Sequence, residues 1–170
     1  MNTKILHSMN KQINAELYSS YLYLSMAAWA HSKGYKGIAN WLQVQAKEEH
    51  AHALKFYTYI EERNNCPEFF AIEKPENSWK DIIDLFEAVY KHELKVSALI
   101  NNLYSLALEE KDHATSSFLQ WFINEQVEEE SAVCAIIDEI KLAGEKGPGI
   151  YMIDKELAQR VFVDPTLQIN

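Results

Sequence analysis

Glycine and proline are sparse and unevenly spread, and this constrains the fold more than any other feature of the sequence. The 170 residues contain five glycines and four prolines, which leave three long windows free of both. Gly and Pro are the residues that most often interrupt a helix. Within the windows, apolar residues recur every three and four positions, and no Asn-Gly or Asp-Gly hairpin turn occurs. The sequence therefore predicts an all-α fold.

Glycine, proline and capping residues divide the chain into four long helices and one short one. The first two predicted helices span Thr3–Ser32 and Gly37–Asn64. The third starts at its N-cap Ser78, the fourth runs from its N-cap Asp112 to Gly144, and the fifth runs from Ile150 to about Val161. Asp81 follows Ser78 by three residues and completes a capping-box pattern. The third and fourth helices must be separate, because residues 76–143 as one straight helix would be ~100 Å long.

The lengths of the connections predict how the helices are arranged. The turns after the first and third helices are short, whereas residues 65–77 form a long connection with two prolines and no helical stripe. Short connections join antiparallel neighbours, so we expect two helical hairpins joined by one long crossover between helices 2 and 3. The prediction is a single domain, 1–170, with a four-helix bundle over about 3–143 and a short fifth helix after it.

Composition and charge exclude several classes of protein. A hydrophobic content of 48% excludes a disordered chain, and the net charge of −9 with no basic patch argues against nucleic-acid binding. The longest uncharged stretch, Leu17–Ser32, is too short and too rich in Ser and Tyr to span a membrane. The N-terminus has no apolar run typical of a secretory signal, so we expect a cytoplasmic protein with Cys66 and Cys134 reduced.

The apolar stripe of each long helix is interrupted near its middle by a glutamate. The four are Glu16, Glu49, Glu93 and Glu129, one on each helix. Glu16 lies about 18 residues before the first turn and Glu49 about 15 after it, and Glu93 and Glu129 lie about 19 before and 17 after the second turn. At ~1.5 Å per residue, the two glutamates of each pair lie at distances from their common turn that differ by only a few Å. The four carboxylates are therefore predicted to meet at one height inside the bundle.

Four carboxylates buried together need positive charge. An unpaired ionised carboxylate in a core costs several kcal/mol, and no Lys or Arg lies in these stripes at that depth. We therefore predict that a pair of divalent metal ions supplies the charge. His52 follows Glu49 by three residues, on the same helix face. Carboxylates with one imidazole favour iron(II) or manganese over zinc.

Several of these signals have a second interpretation. Glu49-x-x-His52 is a weak motif alone, and another match, Glu110-x-x-His113, straddles the predicted turn and is interpreted as surface. Tyr23 is either a core aromatic residue or an electron donor to the metals. The alternative for the whole set of glutamates is a helical interaction module with a hydrated core.

Three more glutamates flank the stripes at adjoining angles. They are Glu48, Glu125 and Glu128. They form either a solvated acidic face or an auxiliary cation site beside the core pair.

Taken together, these residues resemble the bacterial and archaeal non-haem ferritins. The resemblance covers nearly the whole chain and rests on Glu16, Tyr23, the run Lys47-Glu48-Glu49-His50-Ala51-His52, Glu93, and the run Asn124-Glu125-Gln126-Val127-Glu128-Glu129-Glu130. It implies a ferritin-like four-helix bundle with the long crossover and the fifth helix.

The resemblance also implies the residues of the site. A first iron site would be formed by Glu16, Glu49 and His52. A second would be formed by Glu49 as a bridge, Glu93 and Glu129, with Gln126 nearby. A third would be formed by Glu48, Glu125, Glu128 and Glu129. Tyr23 matches the redox-active tyrosine of the family.

The function implied by the resemblance is iron storage with ferroxidase activity. Fe(II) would be oxidised by O2 at the di-iron centre and deposited as an Fe(III) mineral inside a homo-oligomeric shell of 24 subunits. A non-storing di-iron oxidase or peroxidase of the same fold is the alternative within metal chemistry. The alternatives would differ in assembly size, because a storing protein must enclose a cavity.

Two departures separate the chain from related bundle families. Proteins with two Glu-x-x-His motifs would need His three residues after Glu129, where this chain has Ala132. Bacterioferritin binds haem through a Met directly after the bridging Glu, where this chain has His50. We therefore expect a non-haem protein.

Overall fold

The computed structural model of the chain describes residues 1–144 and 147–167. They form α1 (Thr3–Ser32), α2 (Lys36–Glu62), α3 (Ile82–Glu109), α4 (His113–Ala143), α5 (Pro148–Leu157) and a short 3-10 helix (Pro165–Leu167). No β-strand occurs among the described residues, which confirms the predicted all-α fold. None of these helices has an apolar stretch long enough to cross a bilayer.

The four long helices form a bundle with the predicted connectivity. α1 packs mainly against α2, and α3 mainly against α4, while α5 lies on α2 and α4. Residues 65–79 form the crossover, which has no regular secondary structure. It follows α1, because Asn10 Oδ1 accepts from the Glu68 amide at 3.1 Å and Ser25 Oγ donates to the Glu76 carbonyl at 2.7 Å. The predicted hairpin–crossover–hairpin arrangement is confirmed.

The turn between α3 and α4 lies where it was predicted. Asp112 is the N-cap of α4, and its Oδ1 accepts from the Thr115 amide at 3.0 Å. Arg63, which follows the last residue of α2, donates to both carboxylate oxygens of Asp112, at 3.1 and 3.0 Å. α4 ends at Ala143, and Gly144 follows with a φ of 77°, a left-handed conformation that favours glycine.

The start of α3 differs from the prediction. Its N-cap is Asp81, whose Oδ1 accepts from the Asp84 amide at 2.9 Å, and the Lys80 amide donates to Asp84 Oδ2 at 2.9 Å. These contacts close the first turn at 80–84 and leave Ser78 on the extended chain. The prediction that Ser78 caps this helix is therefore wrong by three residues.

Two other helices also have shifted ends. α5 spans Pro148–Leu157 rather than residues 150–161, because Pro148 occupies the first turn, where its missing N–H costs nothing. α2 ends at Glu62, two residues early, because Asn64 has a φ of 56° and cannot continue a right-handed helix. Cys66 is exposed and Cys134 is partly buried, and both are free thiols.

The apolar core consists of two separate clusters. The first contains residues from 22–30 of α1, 38–46 of α2, 79–89, 133–140 of α4 and two residues of α5. The second contains residues from 5–13 of α1, 56–60 of α2, 96–107 of α3 and 119–122 of α4. The interval between them on each long helix holds one of the four predicted glutamates. A polar layer therefore crosses the bundle at one height.

The N-terminus of α2 is capped by α5. Tyr35, the N-cap residue, makes no side-chain cap bond, and Asp154 Oδ1 accepts instead from the amides of Gly37 at 2.8 Å and Ile38 at 2.9 Å. A Cβ atom on Gly37 would lie 1.5 Å from the Asp154 carbonyl oxygen. Only glycine permits this approach, so α5 docks at one position on α2.

We predict that Asp154→Ala lowers the free energy of unfolding by about 1 kcal/mol, because it leaves two amides of α2 without an acceptor. Asp138→Ala, at an exposed position of α4, is the control and should change it by less than about 0.5 kcal/mol. Chemical denaturation measures both. Equal effects of the two substitutions would contradict the assigned cap.

Candidate metal centre

The four glutamates predicted to meet in the core are all buried. Glu16, Glu49 and Glu93 are each 1% exposed, and Glu129 is 6% exposed. They come from the four helices of the bundle and lie between the two apolar clusters. The predicted burial at one level is therefore found.

Three ligands converge between α1 and α2. Glu16, Glu49 and His52 each offer a ligand atom, and these atoms lie within 4.8 Å of one another. Gln12 Nε2 donates to Glu16 Oε1 at 2.8 Å. The His52 ring packs edge-on against Trp121, with the ring centroids 5.5 Å apart. Glu49 and His52 lie on the same face of α2 because they are three residues apart.

Two atoms of this group have no hydrogen-bond partner. Among the described residues, the buried side-chain atoms without a partner are Glu16 Oε2, His52 Nε2 and Trp79 Nε1. A buried polar atom left unpaired costs about 1–3 kcal/mol. A carboxylate oxygen and an imidazole nitrogen are both ligand types of divalent iron, so the two unpaired atoms fit a site that binds a cation.

The other two core glutamates are held by hydrogen bonds. Glu93 accepts from the Tyr23 hydroxyl and from Gln126 Nε2, the latter at 3.1 Å. Glu129 Oε2 accepts from Gln45 Nε2 at 2.6 Å. The structure does not bring these two carboxylates into the 4.8 Å group of ligands. The second predicted ligand set is therefore assembled more loosely than the first.

Burial and mutual repulsion raise the pKa values of the core glutamates. Burial is the largest cause at all four, and the charge of a neighbouring core glutamate follows at three of them, Glu16, Glu49 and Glu129. The pKa of Glu129 is raised to about 8. Among the described residues, no Lys or Arg forms an ion pair with any of the four. Without a cation, part of the cluster therefore holds protons at neutral pH.

The flanking glutamates surround a cavity beside this layer. Its volume is about 350 Å³. The acidic residues that line it are Glu48, Glu125, Glu128 and Glu129. Glu48 is buried, Glu125 is half-buried and Glu128 is exposed. Burial raises the pKa of Glu48, an effect that the guanidinium of Arg160 opposes. The residues predicted for an auxiliary site thus face one space.

The remaining predicted residues are found in different environments. Tyr23 is fully buried, and burial followed by the charge of Glu93 raises its pKa well above 10. Glu110 accepts from Lys4 Nζ at 2.6 Å at the end of the bundle, while His50 and His113 are exposed.

Sequence reasoning missed several residues that position the site. Gln12 and Gln45 precede Glu16 and Glu49 by four residues, and each donates to that glutamate, at 2.8 and 3.4 Å. This repeated spacing was a usable signal. Arg160 donates to Gln45 and Glu48, but it lies outside every predicted helix stripe of the bundle, and no local pattern points to it.

Comparisons with known proteins agree with this geometry. A family profile described as a ferritin-like domain matches residues 6–143. A bacterial non-heme ferritin of Campylobacter jejuni is 39% identical over 155 residues, which are 91% of this chain and 93% of that protein. A probable bacterial non-heme ferritin-like protein of Haemophilus influenzae is 39% identical over 157 residues, 92% of this chain and 95% of that protein.

Solved structures give the same result. An open pore ferritin of the hyperthermophilic archaeon Archaeoglobus fulgidus has a TM-score of 0.93 and 43% identity, over 95% of this chain and 99% of that one. A variant of that ferritin engineered to a closed form has a TM-score of 0.94 and 43% identity, over 96% and 99%. The fold, the buried glutamate layer and these comparisons show that the chain belongs to the ferritin family.

Proposed function

We propose that this chain is the subunit of an iron-storing ferritin that oxidises Fe(II) with O2 at the buried glutamate layer. The observation that carries the proposal is the group of Glu16, Glu49 and His52, where a carboxylate oxygen and an imidazole nitrogen lie in the core without partners. These three residues bind the first Fe(II).

The second Fe(II) binds to Glu49, Glu93 and Glu129, with Gln126 beside it. The hydrogen bonds from Tyr23 to Glu93 and from Gln45 to Glu129 do not prevent this, since an ionised carboxylate has about four lone-pair sites. Glu48, Glu125 and Glu128, together with Glu129, bind a further Fe(II) in the neighbouring cavity.

The carboxylates favour oxidation because they stabilise Fe(III) more than Fe(II). Each of these two Fe(II) ions and the Fe(II) in the neighbouring cavity transfers one electron to O2, and Tyr23 supplies the fourth electron. O2 takes up four protons and is reduced to two water molecules. The phenolic proton of Tyr23 passes to Glu93, its hydrogen-bond acceptor. The Fe(III) then leaves for a mineral enclosed by a homo-oligomeric shell of 24 chains, an assembly supported by the similarity to ferritins.

We predict that Glu49→Gln slows Fe(II) oxidation by at least ~100-fold. The substitution removes a carboxylate that binds both Fe(II) ions, and the loss of even a residue that only hydrogen-bonds to a metal ligand lowers metal affinity or activity about 10–100-fold. Anaerobic Fe(II) titration followed by air, with ferric absorbance and O2 uptake recorded, measures this. Glu139→Gln, at an exposed position of α4, should behave like the native chain.

Two results would contradict the proposal. Native protein that oxidises Fe(II) no faster than buffer would favour the helical interaction module. Active particles too small to enclose a cavity, identified by sedimentation and electron microscopy, would favour a non-storing oxidase or peroxidase.

We predict that the metal-free protein loses stability as pH rises from about 5 to 8. Glu129 keeps its proton in the folded state up to a pKa of about 8, whereas in the unfolded chain it ionises near its ordinary value. The folded state therefore binds more protons over this range, and the free energy of unfolding falls with pH. Denaturation at several pH values measures the slope, which Glu129→Gln should reduce. An equal slope in the native protein and in Glu129→Gln would show that the layer is ionised when metal-free.

We predict that Tyr23→Phe leaves Fe(II) binding intact but removes a tyrosyl radical signal during the first turnover. Electron paramagnetic resonance on freeze-quenched samples measures the radical. Tyr21→Phe is the matched control, because Tyr21 lies on the same helix and is 50% exposed. An unchanged radical in Tyr23→Phe would assign Tyr23 to packing alone.

A further inference from the structure

Arg160 lies at the edge of the acidic cavity, in the segment that follows α5. The cavity is lined by the four glutamates described above and by Arg160, Val161, Val163 and Pro165 of this segment. Arg160 is the one Lys or Arg that lines it among the described residues. The segment thus brings a positive charge to a cavity whose other charged lining residues are all glutamates.

Four residues of α2 hold Arg160 in place. Its Nη2 donates to Glu48 Oε2 at 2.5 Å and its Nη1 donates to Gln45 Oε1 at 2.8 Å. The guanidinium carbon lies 4.7 Å from the centroid of the Trp41 ring. The Arg160 carbonyl accepts from Asn40 Nδ2 at 2.9 Å. Backbone and side chain are therefore both fixed, as in a built site and unlike a solvated surface arginine.

The contact with Gln45 extends into the glutamate layer. An amide side chain has one oxygen and one NH2 group, so binding of its oxygen by Arg160 turns its NH2 group the other way. Gln45 Nε2 accordingly donates to Glu129 Oε2 at 2.6 Å and to Glu49 Oε1 at 3.4 Å. Arg160 thus positions a donor for two core carboxylates that it does not touch.

We propose that Arg160 is a built-in counter-ion of the auxiliary site and competes there with a metal ion for Glu48. The guanidinium holds Glu48 Oε2 in a charge-assisted hydrogen bond, and a cation that binds both oxygens of Glu48 must break that bond. The arginine therefore withdraws before the ion binds fully. Occupancy of the auxiliary site is thereby linked to the position of the segment after α5. This inference rests on the proposed function, because it concerns the third Fe(II) of that site.

The test is anaerobic Fe(II) titration by calorimetry with Arg160→Gln. Removal of the competitor should tighten binding of the third Fe(II) about tenfold, the equivalent of one charge-assisted hydrogen bond, and leave the stoichiometry of the first two ions unchanged. Arg160→Lys keeps the charge and should stay close to the native affinity. Lys155→Gln removes an exposed charge from α5 and controls for net charge.

Glu48→Gln tests whether Glu48 is the carboxylate for which Arg160 and Fe(II) compete. In the native and the Arg160→Gln backgrounds it should weaken the third ion to the same low affinity, because the competition is then absent. Circular dichroism checks that each variant is folded.

The outcomes separate the two proposals. A third Fe(II) bound equally or more weakly in Arg160→Gln, with the first two ions bound normally, overturns the inference and leaves the proposed function standing. Absence of the first two ions in the native protein overturns the proposed function and this inference with it.

Discussion

The cost of burying four glutamates at one height is the constraint on which the rest of the structure depends. Each carboxylate is almost fully inaccessible to water, and no Lys or Arg neutralises it among the described residues. The helices nevertheless bring these groups together instead of separating them. Such an arrangement is unfavourable for a protein that needs only to fold, and the Fe(II) ions of the proposed function would compensate for it. The raised pKa values have the same origin, since burial and neighbouring carboxylates both disfavour the charged form of each glutamate.

The four-helix bundle and its glutamate layer could be predicted from the sequence because two independent features of the sequence agree. The absence of Gly and Pro defines the helices, and the apolar stripe of each helix places its glutamate on the buried face. Counting residues from the turns then sets the height of Glu16, Glu49, Glu93 and Glu129, and an error of two residues moves a side chain by only ~3 Å. A shift of two residues did occur at the end of α2, without moving the layer.

Contacts between distant segments could not be predicted in this way. Arg160 reaches Glu48 from a position 112 residues away in the chain, and nothing in the residues around it indicates that destination. The start of α3 was misplaced for a local reason, because Ser78 and Asp81 can each cap a helix, and the extended path of the crossover leaves the second to do so. Hydrogen bonds around Glu93 and Glu129 also depend on side-chain orientation across helices, which helix periodicity does not describe.

The division of the core has a consequence for how this sequence can change. The two apolar clusters share no member and lie on opposite sides of the polar layer. A change of volume at Phe86 is therefore felt by its own cluster, and a change at Phe56 by the other, since close packing transmits strain only between touching side chains. Each half of the bundle can accumulate and compensate its own substitutions, while the layer between them retains its chemistry. The chain has in this sense two small cores that can be altered separately on either side of one boundary.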